Sequence, residues 1–312
     1  MSFDPNSVAF IFPGQGSQSV GMGLELAAAY PAAKETFDEA DSLLGFSLSK
    51  LMAEGPADEL NDTVNTQPAL YVHSLAAWRV LSLRFPDLQP AALAGHSLGE
   101  LSALAASRAL TFADGLRLVR TRGQLMKRAG ELAPGGMAAI LNLGIPELEQ
   151  VCAEASRAGE TVQVANDNCP GQVVISGAKP AVERAMELAK AAGAKRALPL
   201  AVSIAAHSSL MNSIQAEWNA AVDAVPMRDA SAPVYGNAAA RALTSADDLR
   251  ADIRAQMQSR VRWTESVQAM IASGIRHFVE VGSGSVLGGL VKRIDPSVTS
   301  QALGNPSDFE AL

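Results

Sequence analysis

Cysteine is scarce in this sequence, and so are long apolar runs. The 312 residues contain two cysteines, Cys152 and Cys169, whose spacing fits neither a metal site nor a disulfide framework and so indicates a reducing compartment. No apolar run approaches membrane-spanning length. The N-terminal MSFDPNS lacks the positive start and apolar core of a signal peptide. We therefore expect a cytoplasmic protein with no membrane association.

Positive charge is also in short supply. The chain has 25 Lys and Arg against 32 Asp and Glu, a net charge of −7. Because phosphate binding needs an excess of Lys and Arg, this balance argues against nucleic acid as the main partner. With 48% apolar and 18% charged residues, the chain is an ordinary globular one, long enough for a large domain and a smaller one.

Short buried strands alternate with helical segments in the first 130 residues. SVAFIF breaks at Pro13-Gly14, PAALAG supplies a second strand, and helical periods cover 21–44, 67–85 and 112–130. This alternation predicts a mostly parallel sheet flanked by helices.

The second strand leads into GHSLGE and then a helical segment, which fits the G-x-S-x-G elbow that lifts a serine hydroxyl above a sheet. A serine between glycines is often only a turn former or a helix cap. The strand before it and the helix after it favour a nucleophile at Ser97.

The pattern changes after Pro134-Gly135-Gly136. Predicted elements follow in the order βαββαβ, which is typical of ferredoxin-like domains; they are strand 136–142, helix 145–156, strands 161–166 and 172–177, helix 179–193 and strand 196–203. We therefore expect an α/β fold, with an α/β-hydrolase-like large domain (1–132 and 204–312) and an inserted ferredoxin-like small domain (133–203).

Two glycine loops, PGQGSQSVG and GSGSVLGG, follow strands and precede helices. Neither fits a phosphate-binding motif: the first lacks G-K-[ST], and the second has Leu287 in place of the third glycine of G-x-G-x-x-G. We expect tight turns at strand ends, where open α/β sheets bind ligands, and no nucleotide cofactor.

Four histidines are candidates for a base. His96 is the direct neighbour of Ser97, so its side chain is expected to point away from the hydroxyl, while His73 and His277 need no role beyond packing or solvent contact. His207 follows the apolar segment LPLAVSIAA, at the strand end where α/β active sites collect. His207 is therefore our candidate base.

Arg122 lies on the apolar face of its predicted helix, with Leu118, Val119 and Met126. Arginine is rarely buried without a partner. It either pairs with a buried carboxylate, reaches the surface along its aliphatic stem, or binds a substrate carboxylate with its guanidinium fork.

Seven motifs occur in order along nearly the whole chain. They are FPGQGSQ (12–18), GHSLGE (95–100), RTRGQLM (120–126), VANDNCPGQVVISG (164–177), AAHSSLM (205–211), QMQSRVRW (256–263) and VEVGSGSVLGGLVKRI (279–294). Together they resemble the motifs of the malonyl-CoA:acyl carrier protein transacylases of fatty acid synthesis.

The resemblance implies a role for each candidate. Ser97 would take the acyl group from a coenzyme A thioester, and His207 would be the base, oriented by the backbone carbonyl of Gln256 instead of an acidic third member. The backbone N–H groups of Gln15 and Leu98 would form the oxyanion hole, and Arg122 would bind the malonyl carboxylate. The resemblance implies ping-pong transfer to the phosphopantetheine thiol of acyl carrier protein, by a monomer with no metal and no permanently bound cofactor.

Some alternatives stay open at this point. A serine hydrolase or thioesterase would share the elbow and the base, and a non-catalytic carrier-docking subunit would share the fold. Ala206 stands where larger residues are common in the family, which would widen the acyl pocket and admit methylmalonyl groups. Fatty acid synthesis, polyketide synthesis and malonate decarboxylation would all use the same transfer.

Overall fold

The structure, a computed structural model, describes residues 7–202 and 204–311. Its strands are β1 Val8–Phe12, β2 Ala92–Gly95, β3 Gly135–Leu141, β4 Val162–Cys169, β5 Gln172–Ala178, β6 Arg196–Pro199, β7 Val234–Tyr235, β8 Ala242–Leu243, β9 Val261–Arg262, β10 His277–Val281 and β11 Thr299–Leu303.

Helices cover both sheets that these strands form. They are α1 Leu24–Ala29, α2 Pro31–Leu44, α3 Leu48–Glu54, α4 Ala57–Asn61, α5 Thr63–Arg84, α6 Gly99–Ala106, α7 Phe112–Leu132, α8 Ile145–Ala155, α9 Lys179–Ala191, α10 Gln215–Ala224, α11 Ala246–Gln256, α12 Trp263–Ala272, α13 Val286–Ile294 and α14 Pro306–Glu310, with a 3₁₀ turn at Ser209–Ile214. Among the described residues, none of these helices has the length and apolarity needed to cross a membrane.

The large sheet has the strand order β11-β10-β1-β2-β7-β8. Its pairs are parallel except β7 with β8, so the expectation of a mostly parallel sheet is confirmed. Every residue of β1 is buried, as expected for a strand covered by helices on both faces. The sequence did not indicate β7 and β8, because two-residue strands are too short to show a period; it also missed β11 and α14, which follow the helix expected to end the chain.

The small sheet has the order β6-β3-β5-β4-β9. Along the chain, β3, α8, β4, β5, α9 and β6 follow the predicted βαββαβ order, and Leu148, Ile175 and Ala185 belong to a core cluster of their own beneath this sheet. The fifth strand, β9, comes from far along the chain and pairs in parallel with β4, Val261 opposite Asn166. This pairing was not predicted from the sequence.

Strand β6 is shorter than the predicted strand 196–203. It ends at Pro199, and Ser203 lies outside the described residues. β6 is an edge strand of the small sheet, and proline, which has no N–H to donate, is found at such edges and strand ends. The expectation that His207 lies at a strand end was therefore wrong, because β6 ends eight residues before it.

Two glycines let α6 pack directly against the strands that precede it. A Cβ on Gly95 would lie 1.9 Å from the backbone carbon of Gly99, and a Cβ on Gly99 would lie 2.0 Å from the carbonyl oxygen of Phe12. The turn that carries Ser97 is thus fixed by backbone contacts that exclude any side chain.

We expect Gly99→Ala to lower the free energy of unfolding by about 1–3 kcal/mol or more, because backbone must move to admit the methyl group. Gly136→Ala is the matched control, since a Cβ there meets nothing within 4 Å, and it should stay within about 0.5 kcal/mol of the wild type. Urea unfolding measures both. Equal unfolding midpoints for the two variants would contradict this packing.

Candidate active site

Ser97 occupies a strained backbone position at the turn between β2 and α6. Its φ of 52° lies in the left-handed region that non-glycine residues rarely adopt and that is found at functional sites. The Asn237 side chain bridges the turn: its Oδ1 accepts from the Ser97 N–H at 2.7 Å, and its Nδ2 donates to the Gly95 carbonyl at 2.7 Å. These two bonds hold the turn, and Asn237 was not predicted from the sequence.

His207 faces Ser97. Its Nε2 lies 2.8 Å from Ser97 Oγ, and its Nδ1 lies 2.9 Å from the carbonyl oxygen of Gln256 and 3.2 Å from that of Ser259. Because carbonyl oxygens only accept, Nδ1 carries the hydrogen and the lone pair of Nε2 faces the serine hydroxyl. Burial, followed by the charge of Arg122, lowers the pKa of His207 to about 3. The imidazole is therefore neutral at physiological pH and able to accept a proton.

Arg122 is buried, with 1% of its surface exposed, as the helical pattern of α7 predicts. Its Nη1 donates to Gln67 Oε1 at 2.8 Å, and its Nη2 donates to Gln256 Oε1 at 2.9 Å and to Ser97 Oγ at 3.0 Å. Burial lowers its pKa to about 10, so the guanidinium stays charged at neutral pH.

No carboxylate pairs with this charge. Within residues 7–202 and 204–311, the ion pairs formed at 4.0 Å or less do not include Arg122. Its Nε is buried with no hydrogen-bond partner among the described residues. An unpaired buried cation costs several kcal/mol, so the site is suited to an anionic group brought in by a ligand.

Gln256 contacts His207 through its backbone carbonyl and Arg122 through its side chain. Besides the carbonyl that meets His207, its Nε2 donates to the Ser97 carbonyl and to Glu100 Oε2, each at 2.8 Å. No role was predicted for this side chain. Its burial could have been predicted, because Gln256 lies at helical spacing from the other buried residues of α11, Leu249, Asp252 and Ile253.

A cavity of ≈ 200 Å³ opens above Ser97. Its walls combine residues of the large sheet's loops with residues of the small sheet; they are Gln15, His96, Ser97, Leu98, Arg122, Met126, Met137, Asn166, Asn168, Val174, Leu200, Val202, Ile204, Ala206 and His207. All the site residues expected from the sequence except Gln256 therefore line one cavity, and Gln256 contacts three of them from behind.

The two residues predicted to form the oxyanion hole come from different loops. Leu98 follows it in the elbow, and Gln15 is in the loop after β1, where its Oε1 accepts from Thr63 Oγ1 at 3.0 Å. That loop packs on the elbow, since a Cβ on Gly14 would lie 2.5 Å from the carbonyl oxygen of His96.

The remaining histidines have partners elsewhere. His96 Nε2 lies 2.8 Å from Asn168 Oδ1, His73 Nε2 lies 3.0 Å from the Gly304 carbonyl, and His277 contacts Thr299. In the part of the chain that the structure describes, no group of three or more His, Cys, Asp or Glu is arranged to hold a metal ion.

A strained serine bonded to a buried neutral histidine on an α/β scaffold is an arrangement that serves acyl transfer. Residues 9–298 match the family model described as the acyl transferase domain, and the chain belongs to this family.

Within the family, the chain is similar to proteins of one activity. It is 46% identical over 303 residues to a malonyl CoA-acyl carrier protein transacylase of Salmonella typhimurium, with 97% of each chain covered. A crystal structure of an acyl carrier protein S-malonyltransferase from Vibrio cholerae is 43% identical, with a TM-score of 0.94 over 98% of this chain and 99% of that one. A malonyl-transacylase in complex with its type II PKS acyl-carrier protein is 40% identical, with a TM-score of 0.94 and 98% of both chains covered.

The contacts of His207 predict its tautomer. In the free protein, nitrogen-15 NMR should show a neutral imidazole with its hydrogen on Nδ1 from about pH 5 to 8, because burial and Arg122 lower its pKa to about 3. His207→Asn identifies the signal by its loss. A resonance that titrates near pH 6.5, or a hydrogen on Nε2, would contradict the geometry.

Proposed function

We propose that this enzyme transfers a malonyl group from malonyl-CoA to the phosphopantetheine thiol of acyl carrier protein, through a malonyl ester on Ser97. The observation that carries the proposal is the buried Arg122 guanidinium, which lies 3.0 Å from Ser97 Oγ and has no carboxylate partner among the described residues. A malonyl ester on Ser97 brings a carboxylate next to this cation. The curated relative and the solved structures named above, which are called malonyl transacylases or transferases, support the same substrate.

In the first half-reaction, Ser97 Oγ attacks the thioester carbonyl carbon while its proton passes to His207 Nε2. The C–O bond forms, the C–S bond breaks, and His207 returns the proton to the departing thiolate of coenzyme A. The Gln256 carbonyl holds Nδ1–H throughout, which keeps Nε2 aimed at the serine.

In the second half-reaction the thiol of the carrier protein attacks the malonyl ester, and the steps run in reverse. His207 accepts the thiol proton and gives it to the Ser97 oxygen as the C–O bond breaks. The relative solved with its acyl-carrier protein supports a carrier protein as acceptor.

The developing negative charge on the carbonyl oxygen needs hydrogen-bond donors. We assign this role to the backbone N–H groups of Gln15 and Leu98, because both residues line the cavity with Ser97. The malonyl carboxylate has two N–H groups of Arg122 available. One is that of Nε, which has no partner among the described residues; the other is the Nη2 N–H now bonded to Ser97 Oγ, which becomes the ester oxygen, while the second Nη2 N–H stays bonded to Gln256 Oε1. This edge of the guanidinium suits bidentate binding of a carboxylate.

We also assign the fold of each domain, the cellular location and the oligomeric state. The strand order of the small sheet supports a ferredoxin-like domain over 133–203, and the serine elbow supports an α/β-hydrolase-like domain over 1–132 and 204–312. The two free cysteines support a cytoplasmic location. Because Ser97, its base His207 and the Arg122 cation contact one another within a single chain, we assign activity to a monomer.

Selectivity among acyl groups depends on the cavity wall beside the base. Ala206 lines the cavity next to His207, and its small side chain leaves room for a methyl branch. One such difference shifts selectivity by only about 1–3 kcal/mol, so we assign malonyl as the main substrate.

Incubation with malonyl-CoA alone should add one malonyl group to the protein, and peptide mapping should locate it on Ser97, because this hydroxyl is the one bonded to the neutral base. Intact-mass spectrometry measures the addition. Ser97→Ala should stay unmodified. Labelling of that variant would refute the assignment, and rapid release of free malonate without a carrier protein would favour a hydrolase.

Arg122→Ala should lower the ratio of malonyl to acetyl specificity constants by at least about 10²-fold, because the malonyl carboxylate would enter the cavity without its cation. Acetyl transfer, which brings no charge, should fall much less. Both constants and the melting temperature are measured on one preparation. If both substrates lose activity alike and the variant melts lower, Arg122 is a structural residue only.

A further inference from the structure

Two buried carboxyl groups meet beneath the serine turn. Glu100 lies in the first turn of α6 and Asp252 in α11. Glu100 accepts from the backbone N–H of Asn237, and Asp252 accepts from the next two, those of Ala238 and Ala239, so the two carboxyl groups lie side by side. Only 1% of Glu100 and 5% of Asp252 is exposed. Two adjacent carboxylates in such a place cannot both carry a charge without a large cost, so one proton is held between them.

The hydrogen-bond donors around the pair indicate which group holds the proton. Asp252 accepts at both of its carboxyl oxygens, from the backbone N–H of Ala238 at 3.2 Å and of Ala239 at 2.7 Å. Glu100 accepts from Gln256 Nε2 at 2.8 Å and from the Asn237 N–H at 3.2 Å, both at Oε2. Glu100 therefore has an oxygen, Oε1, that can carry the shared proton, and the Asp252 oxygens are both occupied as acceptors.

We propose that Glu100 is held as the neutral acid, sharing its proton with Asp252, and that it positions the Gln256 amide that holds Arg122. Gln256 Nε2 is directed at two oxygen acceptors, Glu100 Oε2 and the Ser97 carbonyl. The other end of the amide, Oε1, must then face the guanidinium. Glu100 thereby aims an acceptor at Arg122 without placing a full negative charge beside it.

This inference rests on the proposed function in one respect. A charged Glu100 would partly neutralise Arg122 and compete with the malonyl carboxylate, whereas a neutral one leaves the cation to the substrate. Glu100 is thus a positioning residue for acyl selectivity, acting through Gln256.

Of the other elements packed against α6, β1 and β2 carry no titratable side chain. The titratable side chains of α5 bond elsewhere: Tyr71 to the Phe112 carbonyl, His73 to the Gly304 carbonyl, Arg79 to Glu39 and Arg84 to the Phe309 carbonyl. α7 presents Arg122, whose charge interacts with Glu100 and favours its ionised form. Burial, followed by Asp252, outweighs this effect and raises the pKa of Glu100 well above its usual range.

The first test is proton linkage, which does not depend on any activity. An unfolded glutamate is ionised above about pH 4.3, so the native protein binds one more proton than the unfolded chain and loses stability as pH rises. Glu100→Gln is uncharged at every pH and keeps the same donor and acceptor. The unfolding equilibrium constant of the wild type, divided by that of Glu100→Gln, should therefore rise with pH above about pH 5, by at most about tenfold per pH unit, until Glu100 ionises in the folded protein.

The control is Glu25→Gln, at an exposed glutamate of α1, for which the same ratio should stay flat. A flat ratio for Glu100→Gln as well would mean that Glu100 is ionised in the folded protein, and it would overturn the proposal.

The second test is acyl selectivity. Glu100→Gln should keep the ratio of malonyl to acetyl specificity constants within about threefold of the wild type, while Glu100→Ala, which frees the Gln256 amide, should lower it at least tenfold. A tenfold loss in Glu100→Gln would refute the positioning role, as would an unchanged ratio in a folded Glu100→Ala. If Glu100→Ala does not fold, the two measurements on Glu100→Gln decide. Failure of the wild type to take malonyl at all would refute the proposed function and leave the linkage result standing.

Discussion

The buried positive charge of Arg122 is the constraint to which the rest of the site is fitted. A guanidinium with 1% of its surface exposed needs partners, and the protein supplies only neutral ones: the amide oxygens of Gln67 and Gln256 and the hydroxyl of Ser97. These orient the fork and satisfy part of its donors, but they do not cancel its charge. The same charge acts on His207, where after burial it is the next cause of the lowered pKa. One cation thus helps to keep the base neutral and makes the cavity receptive to an anion.

The residues around Ser97 show what sequence reasoning can and cannot reach. Ser97, His207 and Arg122 could be selected because each belongs to a local pattern: a strand-turn-helix motif, an apolar segment and a helical face. Asn237 belongs to no such pattern, and Glu100, although it ends the GHSLGE motif, has contacts that the motif does not show. Asn237 contacts Gly95, which is 142 residues away along the chain, and Glu100 contacts Gln256, which is 156 residues away. Contacts of this kind exist only once the chain has folded.

The fold shows the same division. Most of the longer elements of both sheets were predicted with their order, including the βαββαβ segment of the small sheet; β11, which is as long as β1, was missed. The pairing of β9 with β4 was not predicted. β9 has only two residues, too few to show a period, and its register on β4 is set by the packing around it. The end of β6 at Pro199 was also missed, since an apolar sequence continues beyond the point at which the strand leaves the sheet.

The two roles of Gln256 differ in how they can change during evolution. The carbonyl that orients His207 belongs to the backbone, so any amino acid at position 256 that keeps the helix end in place can provide it. The contacts with Arg122 and Glu100 belong to the side chain and are lost when the residue type changes. Substitutions at this position can therefore alter which acyl group is accepted while the machinery of transfer persists, a separation that allows new substrate preferences to arise without passing through an inactive ancestor.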